Sequence, residues 1–330
     1  MRVVSGIQPT GNLHLGNYLG AIRRWAKMQD AVECLIFLAD LHAITIYNDP
    51  AELRANVNGM AAALIACGID PQEVVLFNHA RVPAHPEMAW ILSCTARIGW
   101  LNRMTQFKEK SGKNREGSSV GLFAYPILQA ADVLLYHATH VPVGEDQKQH
   151  VELIRDIATK FNTDYGVDLF TIPEPHIGET AARIMSLRDG TAKMSKTDPS
   201  DMSRINLTDD DDAISLKVRK AKTDPEPLPD SFEVLAGRPE ARNLVTIYAA
   251  LTDRTPQSVT EEFAGQGFGA FKPALADLLV ETLAPIRTRL GELEADPAAV
   301  DRILAAGSAR AAEMAAPTLE AAYRALGLRR

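Results

Sequence analysis

The sequence predicts an α/β protein in which a Rossmann-type parallel sheet domain is followed by an all-helical domain. Three observations carry this prediction. Short apolar runs alternate with helical patterns through the first part of the chain, polar and glycine-rich segments follow several of these runs, and no strand pattern is visible after about residue 190. A proline-rich segment at 225–229 is typical of a semi-rigid linker. We place the first domain at residues 1–203 and the helical domain at residues 204–330.

Composition limits the classes of function. The chain has 330 residues, 46% of them hydrophobic, and a formal net charge of −7, which argues against a protein coated in basic residues for non-specific binding to nucleic acids such as DNA. No apolar span approaches the roughly 20 residues that cross a bilayer. Cys34, Cys67 and Cys94 lie in apolar runs without metal-ligand spacing, so we expect core cysteines, no disulfides and no structural zinc. These features predict a cytoplasmic protein without a membrane partner.

The polar segment 5–18 connects the first apolar run, residues 3–4, to an amphipathic helix. Gly6, Gly11 and Gly16 allow the backbone to approach a ligand closely, and the start of the helix offers N–H groups to phosphate. The segment lacks the G-x-G-x-x-G fingerprint of dinucleotide sites, so it favours a mononucleotide. Taken alone, it is more typical of an ordinary turn between a strand and a helix than of a phosphate site.

Two further strands complete a βαβαβ unit. The run 34–38 is continuously apolar, as in a parallel strand buried on both faces, and Asp40 and His42 follow at its carboxyl end, where such sheets bind ligands. A capped helix over 49–68 then leads to a third strand at 74–77. On position alone, His42 is more typical of a structural histidine than of a binding residue.

The helix predicted over 126–137 places Tyr125, Gln129 and Asp132 on one face. Apolar residues bracket Asp132, and a buried carboxylate has to be paired or hydrogen bonded. A short fourth strand at 141–144 precedes Glu145, Asp146 and Gln147. Such a segment can hold a ribose or an ammonium group, or it can simply begin a helix with acidic residues that complement its dipole.

Two further stretches of the sequence each allow two interpretations. Residues 83–104 are helical in pattern and rich in apolar side chains such as Trp90, which indicates either core or a subunit interface. Residues 108–115, which include Lys110, form a basic loop that either clamps phosphates or is merely solvated.

The segment Lys193-Met194-Ser195-Lys196-Thr197 brackets a hydroxyl between two lysines about 180 residues after the first loop. Alone, it is typical of a solvated surface turn. Together, however, the two loops resemble the signature motifs of the class I aminoacyl-tRNA synthetases: His14-Leu15-Gly16-Asn17 is similar to the HIGH motif and 193–197 to the KMSKS loop.

The resemblance is nearest to the bacterial, tryptophan-specific branch of that family, and it covers essentially the whole chain. Further ordered matches are Gly6–Gly11, Asp40–Thr45, Arg103–Lys110, Ala130–Asp132 and Val141–His150. The resemblance implies activation of tryptophan by ATP, transfer to the tRNA for tryptophan, and a homodimer. It implies ATP as a substrate, with Mg²⁺ held by phosphates and water and no metal site built from protein side chains.

The resemblance also implies roles for individual residues. Catalytic roles fall on His14, Asn17, Lys110, Lys193 and Lys196. The implied ATP site comprises Gln8, Pro9, Thr10, Gly16, Asn17, Gly144, Glu145, Asp146, Ile184, Lys193, Met194, Ser195, Lys196 and Thr197. The implied tryptophan pocket comprises Gly6, His42, Tyr125, Gln129, Asp132, Val141, Val143 and Gln147, with Asp132 as acceptor for the indole N–H.

Two departures from the family pattern bear on substrate identity. Thr197 stands in place of a final serine, which keeps the hydroxyl, and Gln129 stands where methionine is common. Because Tyr125, Gln129 and Asp132 also resemble the pocket of tyrosine-specific members, those enzymes are the alternative. A tyrosine pocket provides a hydroxyl on the first strand, where this sequence has Val4, so tryptophan is favoured. A regulatory amino-acid sensor that charges no tRNA is disfavoured because both ATP loops are intact.

Overall fold

Five parallel strands form one sheet in the part of the chain that the structure, a computed structural model, describes: residues 1–9, 11, 13–104, 117–142, 148–176 and 183–328. The strand order is β3-β2-β1-β4-β5. The strands are β1 (Arg2–Ile7), β2 (Glu33–Leu38), β3 (Val75–Asn78), β4 (His140–Pro142) and β5 (Glu174–His176). This is the predicted α/β architecture, although β5 was not expected from the sequence.

Helices connect these strands and make up the C-terminal part of the chain. Those between the strands are α1 (Leu15–Asn17), which continues through a π-helical turn (Tyr18–Ile22) into α2 (Arg23–Met28), then α3 (Asp40–Ala43), α4 (Pro50–Ala66), α5 (Ala84–Ser93), α6 (Ile98–Leu101), α7 (Val120–Leu134) and α8 (Lys148–Tyr165). After β5 come α9 (Asp211–Lys220), α10 (Pro239–Thr252), α11 (Pro256–Glu262), α12 (Phe268–Ala295) and α13 (Pro297–Ala325), with short 3₁₀ turns at Asp201–Ser203 and Phe232–Gly237.

The ends of two helices show where local sequence is informative. The side chain of Asp49 accepts hydrogen bonds from the backbone N–H groups of Ala51 and Glu52, so α4 begins where its cap predicts. By contrast, α7 begins six residues before the predicted start at Pro126. Ser119 caps it by accepting from the Leu122 N–H at 3.1 Å, and Pro126 lies inside the helix.

The cores on the two sides of the sheet both extend into the C-terminal helices. One includes Ile36 and Leu76 together with Leu244 and Leu279, and the other includes Phe77 together with α13 residues such as Leu319. Apolar burial is therefore continuous across the predicted boundary at 203/204. The division into two domains stays a prediction.

Helix α13 packs directly on β3. A Cβ built on Gly307 would lie 1.8 Å from the carbonyl oxygen of Leu76, so only glycine allows the helix to approach the strand this closely. Along the same helix, Thr318 contacts His137 with an oxygen-to-nitrogen distance of 3.0 Å. The final helix therefore covers one end of the sheet.

Helix α5 has a buried side and an exposed side. Met88 and Leu92 are buried, whereas Trp90 is 72% exposed and Cys94, one turn later, is exposed as well. Cys34 and Cys67 are buried as expected, but the prediction that Cys94 fills the core is wrong, because it shares the outer face with Trp90. None of the described helices combines the length and the apolar character that crossing a membrane requires.

Candidate active site

The strand order reverses beside β1, with β2 and β3 on one side and β4 and β5 on the other. In open parallel sheets, ligands bind outside the carboxyl ends of the strands at such a reversal. Gln8, which is exposed, and Pro9, which is buried, follow β1 at this edge. The segment 143–147, which follows β4, lies outside the described residues.

The two loops that the sequence singled out converge at this edge. Gly11 has a φ of +61°, and a Cβ built there would lie 3.8 Å from Nζ of Lys196. A Cβ built on Gly16 would lie 3.5 Å from Cβ of Met194. The fold thus brings together segments that are about 180 residues apart in the chain, and the positive Lys196 lies beside the glycine-rich turn.

His14 is buried at the start of α1. The side-chain oxygen of Asn17 accepts a hydrogen bond from the His14 backbone N–H at 3.1 Å, and within the described residues no hydrogen-bond partner reaches Nδ1 of the ring. Burial, together with the positive charges of Arg204, Lys193 and Lys196, lowers the pKa of His14 to about 4. The ring is therefore a neutral hydrogen-bonding group near neutral pH, surrounded by cations that suit a polyphosphate.

The loop that carries the two lysines extends from a short hairpin. Met194 donates its backbone N–H to the carbonyl of Ile184 at 3.0 Å, and both side chains are 2% exposed. The hydroxyls of Ser195 and Thr197 are 2.8 Å apart, so the threonine that departs from the family pattern keeps a hydroxyl contact within the loop. The side chains of Lys193 and Lys196 are exposed, and the backbone between them is held by the hydrogen bond from Met194 to Ile184.

Asn243 anchors the same hairpin from α10, a role that sequence reasoning missed. Its Oδ1 accepts from the Met185 N–H at 2.8 Å and its Nδ2 donates to the Met185 carbonyl at 2.9 Å. At the tip of the hairpin, a Cβ on Gly190 would lie 2.4 Å from the backbone N of Glu240. The one signal of this role in the sequence is an asparagine on the apolar face of a helical pattern.

On the other side of the site, Asp132 lies within α7 and is fully buried. Its Oδ1 is 2.7 Å from Nδ1 of His85 and its Oδ2 is 2.8 Å from Nε2 of His42. Burial alone would raise the pKa of Asp132, but the neighbouring histidines hold it well below its usual range. The carboxylate is therefore ionised and acts only as a hydrogen-bond acceptor.

His42 links Asp132 to Tyr125. The His42 side chain is 10% exposed, and its ring meets that of Tyr125 edge-on with centroids 6.1 Å apart. The Tyr125 hydroxyl is 3.0 Å from Nε2 of His150. Asp40, in contrast, ties strands together: its carboxylate accepts from the Asn78 side chain at 2.7 Å and from the Ala80 N–H at 2.8 Å.

A metal ion is a poor fit to the buried cluster of His42, His79 and Asp132. Nitrogen and oxygen ligands about 2.0–2.1 Å from a tetrahedral zinc would stand roughly 3.3 Å from each other. The Nε2 atoms of the two histidines instead lie 2.7–2.8 Å from the carboxylate oxygens, which is hydrogen-bonding distance. In the described part of the chain, this is the one grouping of three such ligand side chains.

The other predicted site residues divide into three groups. Gly6 and Val141 lie in adjacent strands, and a Cβ on Gly6 would be 2.5 Å from the ring of Phe37, so a side chain there would require that ring to move. Gln129 is half-buried on α7. Outside the described residues lie Thr10, Lys110, Val143, Gly144, Glu145, Asp146 and Gln147.

Two loops converge at the reversal point of a parallel sheet, and the family model for class I tRNA synthetases of the tryptophan and tyrosine type matches residues 1–284. The chain belongs to this family and is an aminoacyl-tRNA synthetase.

Relatives whose activity is named align with nearly the whole chain. It is 58% identical over 327 residues to the tryptophan–tRNA ligase of Caulobacter vibrioides, which covers 99% of this chain and 95% of that protein. The tryptophanyl-tRNA synthetase of Campylobacter jejuni complexed with ADP and tryptophan has a TM-score of 0.83 and 34% identity, over 99% of this chain and 100% of that one. The Mycoplasma pneumoniae tryptophanyl-tRNA synthetase has a TM-score of 0.86 and 33% identity, over 99% and 98%.

Proposed function

We propose that this chain is a tryptophan–tRNA ligase. It activates L-tryptophan with ATP to tryptophanyl-adenylate and pyrophosphate, and it then transfers the aminoacyl group to the 3′ end of the tRNA for tryptophan. The observation that supports this most directly is the convergence of the Gly11–Gly16 turn with the Lys196 loop at the sheet reversal, on a chain that is 58% identical to a tryptophan–tRNA ligase.

In the first step, the tryptophan carboxylate attacks the α-phosphate of ATP and pyrophosphate leaves. No covalent intermediate with the protein is needed, so the chain contributes alignment and stabilisation of developing phosphate charge. His14 and the α1 N-terminus face the phosphates, while Lys193 and Lys196 reach the leaving pyrophosphate. Ile184 and Met194 pack under the nucleotide.

Mg²⁺ would enter with ATP and would neutralise phosphate charge when bound. The lysine loop of this chain presents hydroxyls and ammonium groups and not a cage of carboxylates, which fits an ion held mainly by phosphate oxygens and water. Thr10, Lys110, Gly144, Glu145 and Asp146 complete the proposed nucleotide site, and Val143 and Gln147 complete the proposed amino-acid pocket.

For the amino acid, we assign Asp132 as the acceptor for the indole N–H and Tyr125 as a residue near the α-ammonium group. Val4, at 1% exposure, belongs to the same apolar cluster as Phe37 and Val141. It provides an apolar wall where a pocket for tyrosine would need a donor to the phenol oxygen. This wall favours tryptophan over tyrosine.

The test is pyrophosphate exchange into ATP, measured over a panel of tryptophan, tyrosine and phenylalanine. We expect exchange with tryptophan to exceed exchange with phenylalanine by about 10⁴-fold or more, because phenylalanine leaves the buried acceptor without a donor, and we expect tryptophan to be activated better than tyrosine because Val4 offers no donor to the phenol oxygen. Asp132→Asn should sharply reduce tryptophan activation and leave the KM for ATP nearly unchanged. Better activation of tyrosine, or full activity of Asp132→Asn, would overturn the assignment, and amino-acid binding without exchange would indicate a sensor.

We also propose that the enzyme is a cytoplasmic homodimer. Large apolar side chains are exposed beside the site: Ile44, Ile46, Tyr47 and Val120, with Trp90 and Ile98 on α5 and α6. The Ser119 hydroxyl donates to the Thr45 carbonyl, which joins the first of these segments to α7 next to Val120. Sedimentation of the wild type should give a dimer, and Trp90→Glu should shift it toward monomer.

A further inference from the structure

The carboxylate of Asp132 has two oxygens in different surroundings. Oδ1 lies on the closed side of the cluster, 2.7 Å from Nδ1 of His85 and 2.7 Å from Nε2 of His79, and both of these histidines are fully buried. Oδ2 lies 2.8 Å from Nε2 of His42, whose side chain is 10% exposed. Oδ2 is therefore the oxygen nearer to the open side of the site.

His85 forms one link in a hydrogen-bond chain of fixed direction. Burial lowers its pKa to about 4, so the ring is neutral and carries a single N–H near neutral pH. Because ionised Asp132 can only accept, this proton is on Nδ1, and Nε2 accepts from the Tyr136 hydroxyl at 2.8 Å. Burial raises the pKa of Tyr136, which keeps its proton available for that donation.

His79 packs against the residues of this hydrogen-bond chain but is not itself a member of it. Its Nε2 is close to Oδ1, but the contact falls short of hydrogen-bond geometry among the described residues. Its ring meets the His85 ring edge-on at a centroid distance of 4.2 Å, and it stacks on His42 at 5.4 Å. His79 therefore packs against both imidazole rings that hydrogen bond to Asp132.

We propose that His85 is a positioning residue for substrate specificity: with Tyr136 behind it, His85 holds Oδ1 of Asp132 so that Oδ2 accepts the ring N–H of the substrate. This inference rests on the proposed function, in which Asp132 contacts the indole. A carboxylate oxygen has two lone pairs, so Oδ2 can accept from His42 and from the indole together. Without His85, Oδ1 loses its donor and the carboxylate turns toward other partners.

The experiment compares tryptophan with 3-benzothienylalanine, in which sulfur replaces the indole N–H. Pyrophosphate exchange gives kcat/KM for both amino acids in the wild type and in variants. We expect the wild type to prefer tryptophan by about 100-fold or more, and His85→Ala to lower this ratio about tenfold or more while the KM for ATP stays within about twofold. His85→Asn, whose amide N–H can take the place of Nδ1–H, should retain most of the ratio.

Tyr136→Phe removes one hydroxyl from the chain and keeps its packing, so it tests the inference even if His85→Ala fails to fold. We expect it to lower the ratio about threefold or more. His137→Asn is the matched control, because His137 contacts Thr318 on α13 and not Asp132. It should leave the ratio unchanged.

The outcomes separate the two proposals. If the wild type discriminates against the sulfur analogue but His85→Ala and Tyr136→Phe keep the wild-type ratio, His85 has no positioning role, whereas the Asp132 contact stands. If the wild type accepts both amino acids equally, the contact between Asp132 and the indole fails, and the inference falls with it.

Discussion

The imidazole ring of His14 occupies the space in which a side chain at Gly16 would lie. A Cβ built on Gly16 would be 3.0 Å from both Cε1 and Nδ1 of that ring. We expect Gly16→Ala to displace the ring and to slow adenylate formation about tenfold or more, since alignment supplies much of the rate. Rapid-quench measurement of adenylate formation checks this. Gly291→Ala, at a helix position with no described atom within 4 Å of the new methyl, should retain the wild-type rate.

Lys196 reaches the glycine-rich turn from the anchored hairpin, and its ammonium group would bind the leaving pyrophosphate most strongly in the transition state. We expect Lys196→Ala to reduce adenylate formation by about 10²-fold or more, with a smaller change in the KM for ATP. Single-turnover kinetics separate the two effects. Lys220→Ala, an exposed lysine at the end of α9, is the control. A Lys196→Ala enzyme with the wild-type rate would contradict the assignment of this loop.

The contact between Gly307 and β3 leaves no room for a methyl group, because its Cβ would lie 1.8 Å from the Leu76 carbonyl oxygen. The helix or the strand has to shift, so we expect Gly307→Ala to lower the free energy of unfolding by about 2 kcal/mol or more. Urea denaturation gives this value. Gly291→Ala, in the preceding helix, should be neutral or stabilising by up to about 1 kcal/mol. Equal stability of the two variants would argue against the close packing of α13.

The lowered pKa of His85 predicts how stability depends on pH. The unfolded chain binds a proton at this residue below about pH 6.5, whereas the folded protein does so only near pH 4. The free energy of unfolding should therefore fall as the pH drops through this window, by up to about 1.4 kcal/mol per pH unit from this histidine. His85→Asn should show a shallower slope there and a parallel curve above pH 7. Parallel curves throughout would show that folding does not lower the pKa of His85.

The predictable features were those with a local signal. The apolar run before Asp40 gave β2, the Asp49 cap gave the start of α4, and the two lysines beside a hydroxyl singled out the 193–197 loop. Strand β5 has three residues, one of them proline, and carries no alternating pattern. The early start of α7 at Val120 depends on the Ser119 cap, which lies in a segment whose sequence is typical of a loop.

The surroundings of Asp132 could not be predicted because they arise from segments that are distant in sequence. Its apolar neighbours in the chain indicated burial and a need for partners, but His79 and His85 follow β3 and begin α5, where they read as ordinary members of an apolar stretch. Asn243 holds the lysine hairpin from 58 residues away. Such partners become visible only when the sheet and its helices are assembled.

The position of α13 on β3 has a consequence for protein synthesis. Arg81, just after β3, pairs with Asp301 of α13 across 220 residues of sequence. While the ribosome is still translating that interval, the nascent chain has no α13 to lay over the strand, so this end of the sheet stays uncovered. We expect this end of the sheet to be covered only once α13 has been synthesised and docks on β3.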